Sequence, residues 1–409
     1  MVKRLQFFIV DDDQISIKLL SKLLEKESHI VSSNTSSTNA LTEITEQVPD
    51  CVILDMMMPE MDGLELIKRL RAEPDLDATK IIVVSSKSYE FDRKRAFSFG
   101  ADGYITKPID AKKIVDQLHR VIQDRIELTF WGVHGTLPTP GKETTKYGGN
   151  TSCVSLDFAK GTLFIFDAGT GIKALSDYLV AENRPLVGAK IFISHPHWDH
   201  INAIPFFVPL YTQGNEIEIF GPSHGDISMR ELISGQMDGV YFPINIKEFS
   251  AMVTFRDLKE EEFEINKIKV KTMLLNHPGH CLGYRVEYKD KSICYVTDNE
   301  LYPKSNQFYN KFYLDQLVDF VAGTDILITD CTYTDKEYEA KVGWGHSSVR
   351  QVVDLAARAR VKTLYLFHHD PGQKDVDIDA KLKSARAMLK KKKSSTRCEA
   401  PREKEVVQL

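Results

Sequence analysis

The run Ser194-His195-Pro196-His197-Trp198-Asp199-His200 puts three imidazoles and a carboxylate on one short loop. Neutral imidazole and carboxylate are good ligands for divalent first-row metals. Side chains of a tight loop can face two points, so His195 and His197 can hold one cation while Asp199 and His200 hold a second. Nearer the amino end, Asp11, Asp12, Asp13, Asp55 and Lys107 form a different set, rich in carboxylate and carrying one ammonium. Carboxylates of this kind suit a hard cation such as Mg2+, and a lysine adds a compact point charge beside them.

Both sets need elements to carry them. Ile191-Phe192-Ile193 reads as a short buried strand running into the His loop, and Ile201 to Ile204 as the start of a helix beyond it. In the first part of the chain, strand-like Phe7–Val10, Cys51–Leu54, Ile81–Val84 and Gly103–Ile105 alternate with helical spacings such as Ile15, Leu19, Leu20, Leu23 and Leu24. That alternation predicts a parallel sheet with helices on both faces and a ligand site at the carboxyl ends of its strands. The acids fall at those ends, with Ser85-Ser86 and Lys107 after the later strands. A helix over Ala111–Gln123, with Ile114, Val115, Leu118 and Ile122 on one face, then passes into the strand-like Arg125–Trp131 with no flexible linker. The reading is two domains, 1–124 and 125–409, with a short join suited to mechanical coupling.

On these residues, segment 1–124 resembles the receiver domain of two-component response regulators, a flavodoxin-like doubly wound α/β fold. The resemblance implies that Asp55 accepts a phosphoryl group from a sensor histidine kinase or a phosphotransfer protein. It implies a Mg2+ site at Asp11, Asp12 and Asp55 with the Met57 carbonyl, and switch roles for Ser85, Tyr104 and Lys107. Ser85 would hydrogen-bond the new phosphoryl oxygens, Tyr104 would rotate with it, and Lys107 would meet the acylphosphate.

The second segment opens with glycine-rich turns at Phe130–Pro138 and Tyr147–Cys153, then Leu163–Phe166 ending in Asp167-Ala168-Gly169-Thr170-Gly171. Further on, apolar runs end at His277, at Asp298 and at the pair His368-His369. Together with the His loop these pieces resemble the metallo-β-lactamase fold, an αββα sandwich, in its phosphodiesterase and transfer-RNA 3′-processing (RNase Z-like) branch. The resemblance implies a dinuclear site: His195, His197 and His277 on one metal, Asp199, His200 and His368 on the other, Asp298 between them. Zn2+ fits these ligands best, with Mn2+ and Fe2+ suited to the same mixed set. Such a pair brings water to ionise near neutral pH and clamps both oxygens of an in-line displacement at phosphorus. Asp199 would orient the nucleophile. His346, in Gly343-Trp344-Gly345-His346-Ser347-Ser348, resembles the His-Ser-Thr motif beside the leaving group and would be a general acid or phosphate partner; the plainer reading is a helix start with a serine cap. Asp167 and Asp330 read as groups behind the ligands.

The resulting expectation is a phosphorylation-regulated, metal-dependent phosphodiesterase acting on cyclic nucleotides or small cyclic phosphates. A glyoxalase II-like thioesterase, an RNA 3′-end nuclease and a non-catalytic phospho-switched binding module are the alternatives. A flavodiiron protein fits worse, because His197 stands where those proteins place a glutamate. Tyr241 and Phe242 can stack on a base or simply pack. No long inserted arm of the kind that grips transfer RNA is visible, and Lys390–Lys393 reads as a solvated helix end, so nucleic acid is compatible but not favoured.

The chain's 409 residues exceed one ordinary core. Its 42% apolar and 27% charged residues place it with globular domains, and a net charge of −5 points to no anionic partner. No apolar run approaches the roughly 20 residues needed to cross a bilayer. The early strand-like Phe7–Val10 leaves no room for a signal peptide. Six cysteines without a CxxC pair fit a reduced compartment. A cytoplasmic protein off the membrane, compatible with a homodimer, is the expectation.

Overall fold

Apolar runs make most of the first sheet, as expected where helices cover both sides, whereas its edge strand Ile30-Val31-Ser32-Ser33-Asn34 is partly polar and falls outside the strand-like runs of the sequence. β1 (Gln6–Val10), β2 (Ile30–Asn34), β3 (Cys51–Leu54), β4 (Lys80–Ser85) and β5 (Gly103–Thr106) lie parallel in the order β2-β1-β3-β4-β5. This computed structural model describes residues 4–87, 90–159, 161–182 and 188–409, and the chain divides into two compact units near Ile126.

The helices of the first unit are α1 (Gln14–Lys26), α2 (Ser37–Gln47), α3 (Gly63–Ala72), α4 (Glu90–Ser98) and α5 (Ile114–Ile122). Strand side chains alternate in facing, so the sheet serves two cores. Phe7, Ile9, Ile53 and Ile82 pack with Leu20 and Leu24 of α1 and Leu118 of α5. Phe8, Val10, Val52 and Leu54 pack with Ile44 of α2 and Leu66 and Ile67 of α3. The doubly wound receiver fold follows from that period of two. α5 begins later than the expected Ala111, because the Asp110 carbonyl takes the N–H groups of both Lys113 and Ile114 in a preceding turn.

One contact of this unit is sensitive to pH. The Leu5 N–H donates to His29 Nδ1 (3.2 Å), which leaves the proton of His29 on Nε2, 2.9 Å from Nε2 of His119 on α5. Burial, reinforced by the neighbouring imidazole of His119, holds His29 below its ordinary value, and burial lowers His119 as well. A group depressed on folding contributes fully above its unfolded value of about 6.5 and loses that contribution as pH falls below it. Each such imidazole steepens the loss by at most about 1.4 kcal/mol per pH unit. In the full chain, the amide protection factors of β1 and α5, which correct for the pH dependence of free-peptide exchange, should therefore fall between about pH 7 and about pH 5. His119→Gln, which keeps an acceptor for His29 but does not titrate, should show the smaller fall in protection; an equal fall would refute the assignment.

Only Gln123, Asp124 and Arg125 separate α5 from β6 (Ile126–Gly132), the first strand of the second unit. There follow β7 (Cys153–Phe158), β8 (Leu163–Phe166), α6 (Gly171–Ala181), β9 (Gly188–Phe192), the single turn α7 (Trp198–Ile201), β10 (Glu216–Pro222), α8 (Met229–Gln236) and β11 (Met252–Leu258). Next come β12 (Glu262–Ile265), β13 (Ile268–Leu274), β14 (Leu282–Tyr288), β15 (Lys291–Val296), α9 (Lys311–Phe320), β16 (Ile326–Asp330) and α10 (Asp335–Tyr338). α11 (Val349–Arg358), β17 (Thr363–Phe367), α12 (Asp375–Lys391), β18 (Arg397–Glu399) and β19 (Val406–Gln408) complete the order.

Among the described residues these strands form two seven-stranded sheets, β11-β10-β9-β8-β7-β6-β19 and β12-β13-β14-β15-β16-β17-β18. Their inner faces meet through aromatics: Phe166 lies 5.4 Å from Tyr295, Phe192 5.4 Å from Tyr284 and Phe130 5.0 Å from Tyr365, centroid to centroid. On the outer face of the second sheet, Leu317 of α9, Val353 of α11 and Leu389 of α12 pack over Cys294, Leu327 and Leu364. Helix, sheet, sheet, helix is the αββα sandwich.

The expected helix from Ile201 to Ile204 is instead the turn α7, which ends at Ile201, followed by short 3-10 turns at Ile204–Phe206 and Val208–Tyr211. Pro205 and Pro209 explain the break, since each lacks a backbone donor and crowds the residue before it. The helix that ends at the solvated run Lys390–Lys393 is the long α12, and it is not wholly a surface element: Lys381 is 1% exposed. The segment 397–408 returns as an edge on each sheet, β18 beside β17 and β19 beside β6.

Candidate dinuclear metal centre and phosphoacceptor site

In the second unit, β15, β16 and β17 are mutually parallel, β13 runs the same way as β15, and β8 is parallel to β9. Their carboxyl ends therefore lie along common edges, and the polar residues gather there: Asp167 after β8, the His loop after β9, His277 after β13, Asp298 after β15, Asp330 at the end of β16 and His368 after β17. Asp167, Asp298 and His368 have φ of +58°, +46° and +57°, a left-handed conformation that turns the chain sharply off each strand.

Donor atoms of His195, His197, His277 and Asp298 lie within 4.8 Å of one another, as do those of Asp199, His200 and His368. Asp298 faces both sets. Its Oδ2 lies 3.5 Å from His195 Nε2 and 3.7 Å from His277 Nε2, while Oδ1 lies 3.3 Å from His200 Nε2 and 3.1 Å from His368 Nε2. Asp199 Oδ2 lies 3.1 and 3.2 Å from the Nε2 atoms of His200 and His368 and accepts from the Thr136 N–H at 2.7 Å. His197 joins through Nδ1, 3.2 Å from His277 Nε2.

The surroundings fix which nitrogen carries each proton. His200 Nδ1 donates to Asp167 Oδ2 (2.7 Å), and His277 Nδ1 donates to the Gly345 carbonyl (2.9 Å). The Ser194 hydroxyl donates to Asp167 (2.9 Å), so it accepts from His195 Nδ1 at 3.0 Å. The Thr332 hydroxyl donates to Asp330 (2.6 Å) and accepts from His368 Nδ1 at 3.1 Å in the same way. All four imidazoles then turn a bare Nε2 inward. The Nε2 atoms of His195 and His200 are buried with no hydrogen-bond partner. Unpartnered buried nitrogens beside two carboxylates are the donor set of a divalent first-row cation, so the residues fit a metal pair.

Charge agrees with this fit. Burial pushes the Asp298 carboxyl up, but the imidazoles of His368, His200 and His195 outweigh it and hold it well below the usual range. Asp199 behaves alike: burial is outweighed by His200 and His368. Burial holds His195 well below its ordinary value and also lowers His197 and His277, so these three present neutral nitrogens. His200 goes the other way, because Asp199, Asp298 and Asp167 outweigh its burial; there proton and cation compete.

Backbone is packed just as closely. A Cβ at Gly135 would stand 2.0 Å from His368 Cε1, and one at Gly345 would stand 2.4 Å from His277 Nδ1, where φ is also +87°. These two glycines let main chain lie against two imidazoles of the candidate centre.

His346 also enters the cluster, forming a group with Asp298 and His368 and stacking on His368 at 5.0 Å. Its Nδ1 donates to Asp330 Oδ2 (2.9 Å). Burial lowers its pKa, but Asp330 more than compensates and holds it up at about 9. The capping reading of Ser348 holds at the same time, since Gln351 at the start of α11 reaches back to the Ser348 N–H (2.6 Å). His369 faces away from the cluster and accepts on Nδ1 from Lys381 Nζ at 2.8 Å. Of the aromatics weighed for stacking, Phe242 packs edge-on against Phe206 at 5.5 Å, whereas Tyr241 is 81% exposed.

Sequence reasoning missed several groups. Buried Glu300 accepts from the Gly343 and Gly345 N–H groups (2.8 Å each) and from Tyr338 Oη (2.8 Å), which braces the loop that holds His277 and His346. Buried Lys381 reaches the Cys331 carbonyl (2.7 Å) and His369, tying α12 to the loops after β16 and β17. Its position was readable from the stripe Ile378, Lys381, Ala385, Leu389; Glu300 left no such signal. Trp198 and Trp344, both largely exposed, lay inside quoted motifs without being singled out.

In the first unit, Asp11, Asp12 and Asp55 form a separate carboxylate group. Lys107 Nζ donates to Asp55 Oδ2 (2.7 Å) and Asp11 Oδ2 (2.9 Å), and the Met57 N–H donates to Asp55 Oδ1 (3.1 Å). Burial raises Asp11 above its ordinary value, whereas Lys107 is raised because its bonds to Asp55 and Asp11 outweigh burial. Asp13 takes no part: its carboxylate caps α1 through the Ile15 and Ser16 N–H groups. Ser85 is fully buried at the end of β4, and Tyr104 Oη donates to the Lys87 carbonyl (2.7 Å).

Residues 7–119 match the family model of the response regulator receiver domain, and residues 162–369 that of the beta-lactamase superfamily domain. Ribonuclease Z of Thermoplasma acidophilum is 27% identical over 301 residues, which cover 62% of this chain and 89% of that protein. Response regulator ArlR of Staphylococcus aureus is 28% identical over 130 residues, 32% of this chain and 58% of the regulator. Among solved structures, the metallo-beta-lactamase fold protein YhfI from Bacillus subtilis aligns over 70% of this chain and 100% of its own with a TM-score of 0.51 and 18% identity, a likeness of fold.

Proposed function

We propose, for a chain that belongs to the beta-lactamase superfamily and carries a response regulator receiver domain ahead of that domain, a phosphodiesterase on two divalent cations whose activity is set by phosphorylation. The observation that carries the reading is Asp298, whose two oxygens face separate imidazole sets. His195, His197 and His277 would hold one cation, Asp199, His200 and His368 the other, and Asp298 both. Nitrogen-rich donors favour Zn2+, with Mn2+ or Fe2+ next. When bound, such a pair supplies an acidified water and positive charge for the phosphoryl oxygens. Asp199, fixed by the Thr136 N–H, orients the attacking oxygen. His346, kept protonated by Asp330, places a proton on Nε2 for the leaving oxygen. A ribonuclease relative supports chemistry at a phosphodiester, and cyclic nucleotides or small cyclic phosphates are the substrates proposed.

A receiver domain implies a histidine kinase or phosphotransfer partner. Asp55 would take the phosphoryl group, with Mg2+ on Asp11, Asp12 and Asp55 and with Lys107 beside the acylphosphate. Ser85 and Tyr104 would relay the change. The test is turnover of bis(p-nitrophenyl) phosphate by the Zn2+- or Mn2+-loaded full chain, with and without acetyl phosphate and Mg2+. Acetyl phosphate should change the rate by about fivefold or more in the parent and leave Asp55→Asn unmoved. Equal rates in the parent would remove regulation, and no turnover of any phosphodiester by the metal-loaded chain would sink the hydrolase reading.

A further inference from the structure

Two of the chain's three tryptophans sit on the loops of the metal cluster with their rings largely in solvent. Trp131, the third, is buried and donates Nε1–H to Ser155 Oγ at 2.8 Å. Trp198, between His197 and Asp199, is 79% exposed; Trp344, two residues before His346, is 63% exposed. An indole is among the largest apolar side chains, and leaving it in water forgoes burial that would favour folding.

Neither exposure comes from a loose backbone. Trp198 opens α7, and its carbonyl accepts from the Asn202 N–H at 2.7 Å. Trp344 lies between two glycines whose N–H groups are both held by buried Glu300, while the Gly345 carbonyl holds His277 Nδ1. His277 Nε2 in turn lies 3.2 Å from His197 Nδ1, next to Trp198. The two loops thus meet at one metal-ligand imidazole, each pinned by hydrogen bonds along its main chain and each bearing an uncovered indole. A cation stands beside one of them: Lys341 Nζ lies 5.8 Å from the Trp344 ring centroid.

We propose that Trp198 and Trp344 are a stacking subsite for the nucleobase attached to the scissile phosphodiester. The substrate class is then nucleotidic, and a sugar or alkyl phosphodiester without a planar ring is a poor substrate. This rests on the phosphodiesterase reading above. Rigid aromatic platforms bind every base through its π-face, so the subsite selects for a base without selecting which one. Lys341, near the Trp344 ring, is itself paired with Asp370 at 2.8 Å, so the stacking rings and not a free cation carry the subsite.

The full chain with its metals is tested in two ways. In the first, kcat/KM is measured for adenosine 3′,5′-cyclic phosphate, for the dinucleotide ApA and for base-free glycerol cyclic phosphate. Trp198→Ala and Trp344→Ala should each lower the preference for base over no base roughly tenfold, the loss of one base–aromatic stack, mostly through KM; Trp→Phe should restore most of it. Whichever of the cyclic nucleotide and ApA shows the larger loss identifies the source of the base. Unchanged preference in both alanine variants overturns the proposal.

The second readout needs no turnover. Adenosine 5′-monophosphate should quench the tryptophan fluorescence saturably, less in either alanine variant, since Trp131 is buried. If the chain hydrolyses no phosphodiester but quenching follows the two indoles, the base subsite stands and the catalytic reading falls. If hydrolysis is found but the parent shows no saturable quenching, the subsite falls alone.

Discussion

Asp298→Ala is expected to lower kcat/KM for a phosphodiester by about 10³-fold or more and to leave the chain unable to hold two tight cations. The expectation comes from position. Four imidazole nitrogens lie within 3.7 Å of one or other oxygen of this carboxylate, and the residue is 2% exposed. Removing it takes a donor from both halves of the centre together with the negative charge that balances a buried imidazole cluster. Asp298→Asn keeps the size and one oxygen, so it should bind metal better than alanine yet remain slow. Metal content per chain, measured beside the rate, is the check; an alanine variant that retained two cations and the parental rate would refute the shared role of this carboxylate.

His346→Ala should cost about 10²- to 10⁴-fold with an alkoxide leaving group and far less with p-nitrophenolate, which departs without a proton. Burial alone would leave His346 neutral, but Asp330 holds it up at about 9, and it therefore carries a proton at neutral pH. A raised value keeps the acid form below it and loses that form as pH rises through it, so the rate should fall on the alkaline side. Bound cations push the same imidazole down, which places the limb of the loaded protein below about 9. Asp330→Asn removes the opposing pull, moves that limb to lower pH and should cost roughly 10- to 100-fold, as loss of a partner behind an active group does. Equal losses for both leaving groups would assign His346 to positioning, not proton transfer.

How much of this was legible in the sequence depended on where each signal lies. The His loop could be read directly, because four donors fall within six residues and the spacing itself carries the chemistry. Four strands of the receiver sheet were legible as apolar runs, a pattern that survives without tertiary information, but the edge strand β2, with Ser32, Ser33 and Asn34, carries no such run and was missed. His277, Asp298 and His368 could be placed only as ends of apolar runs, through resemblance; that they face one another is a property of parallel strands aligned at one edge. The helix expected after the His loop failed at Pro205 and Pro209, a local rule that periodicity overrode. Glu300 was invisible because a buried carboxylate that braces a distant loop has no period. Lys381 went unremarked beside the solvated run Lys390–Lys393, although Ile378, Ala385 and Leu389 place it on the apolar stripe of α12.

Asp167, Asp298 and His368 share a backbone conformation that costs an ordinary L-residue about 1 kcal/mol or more. Glycine would adopt it freely, and asparagine more easily than most. Replacing any of the three with glycine or asparagine would ease the backbone but remove oxygens or a nitrogen that face the cluster. On the proposed activity, stability and turnover would pull in opposite directions at the ends of β8, β15 and β17, so a directed-evolution campaign that scores melting temperature without turnover should lose the centre there first.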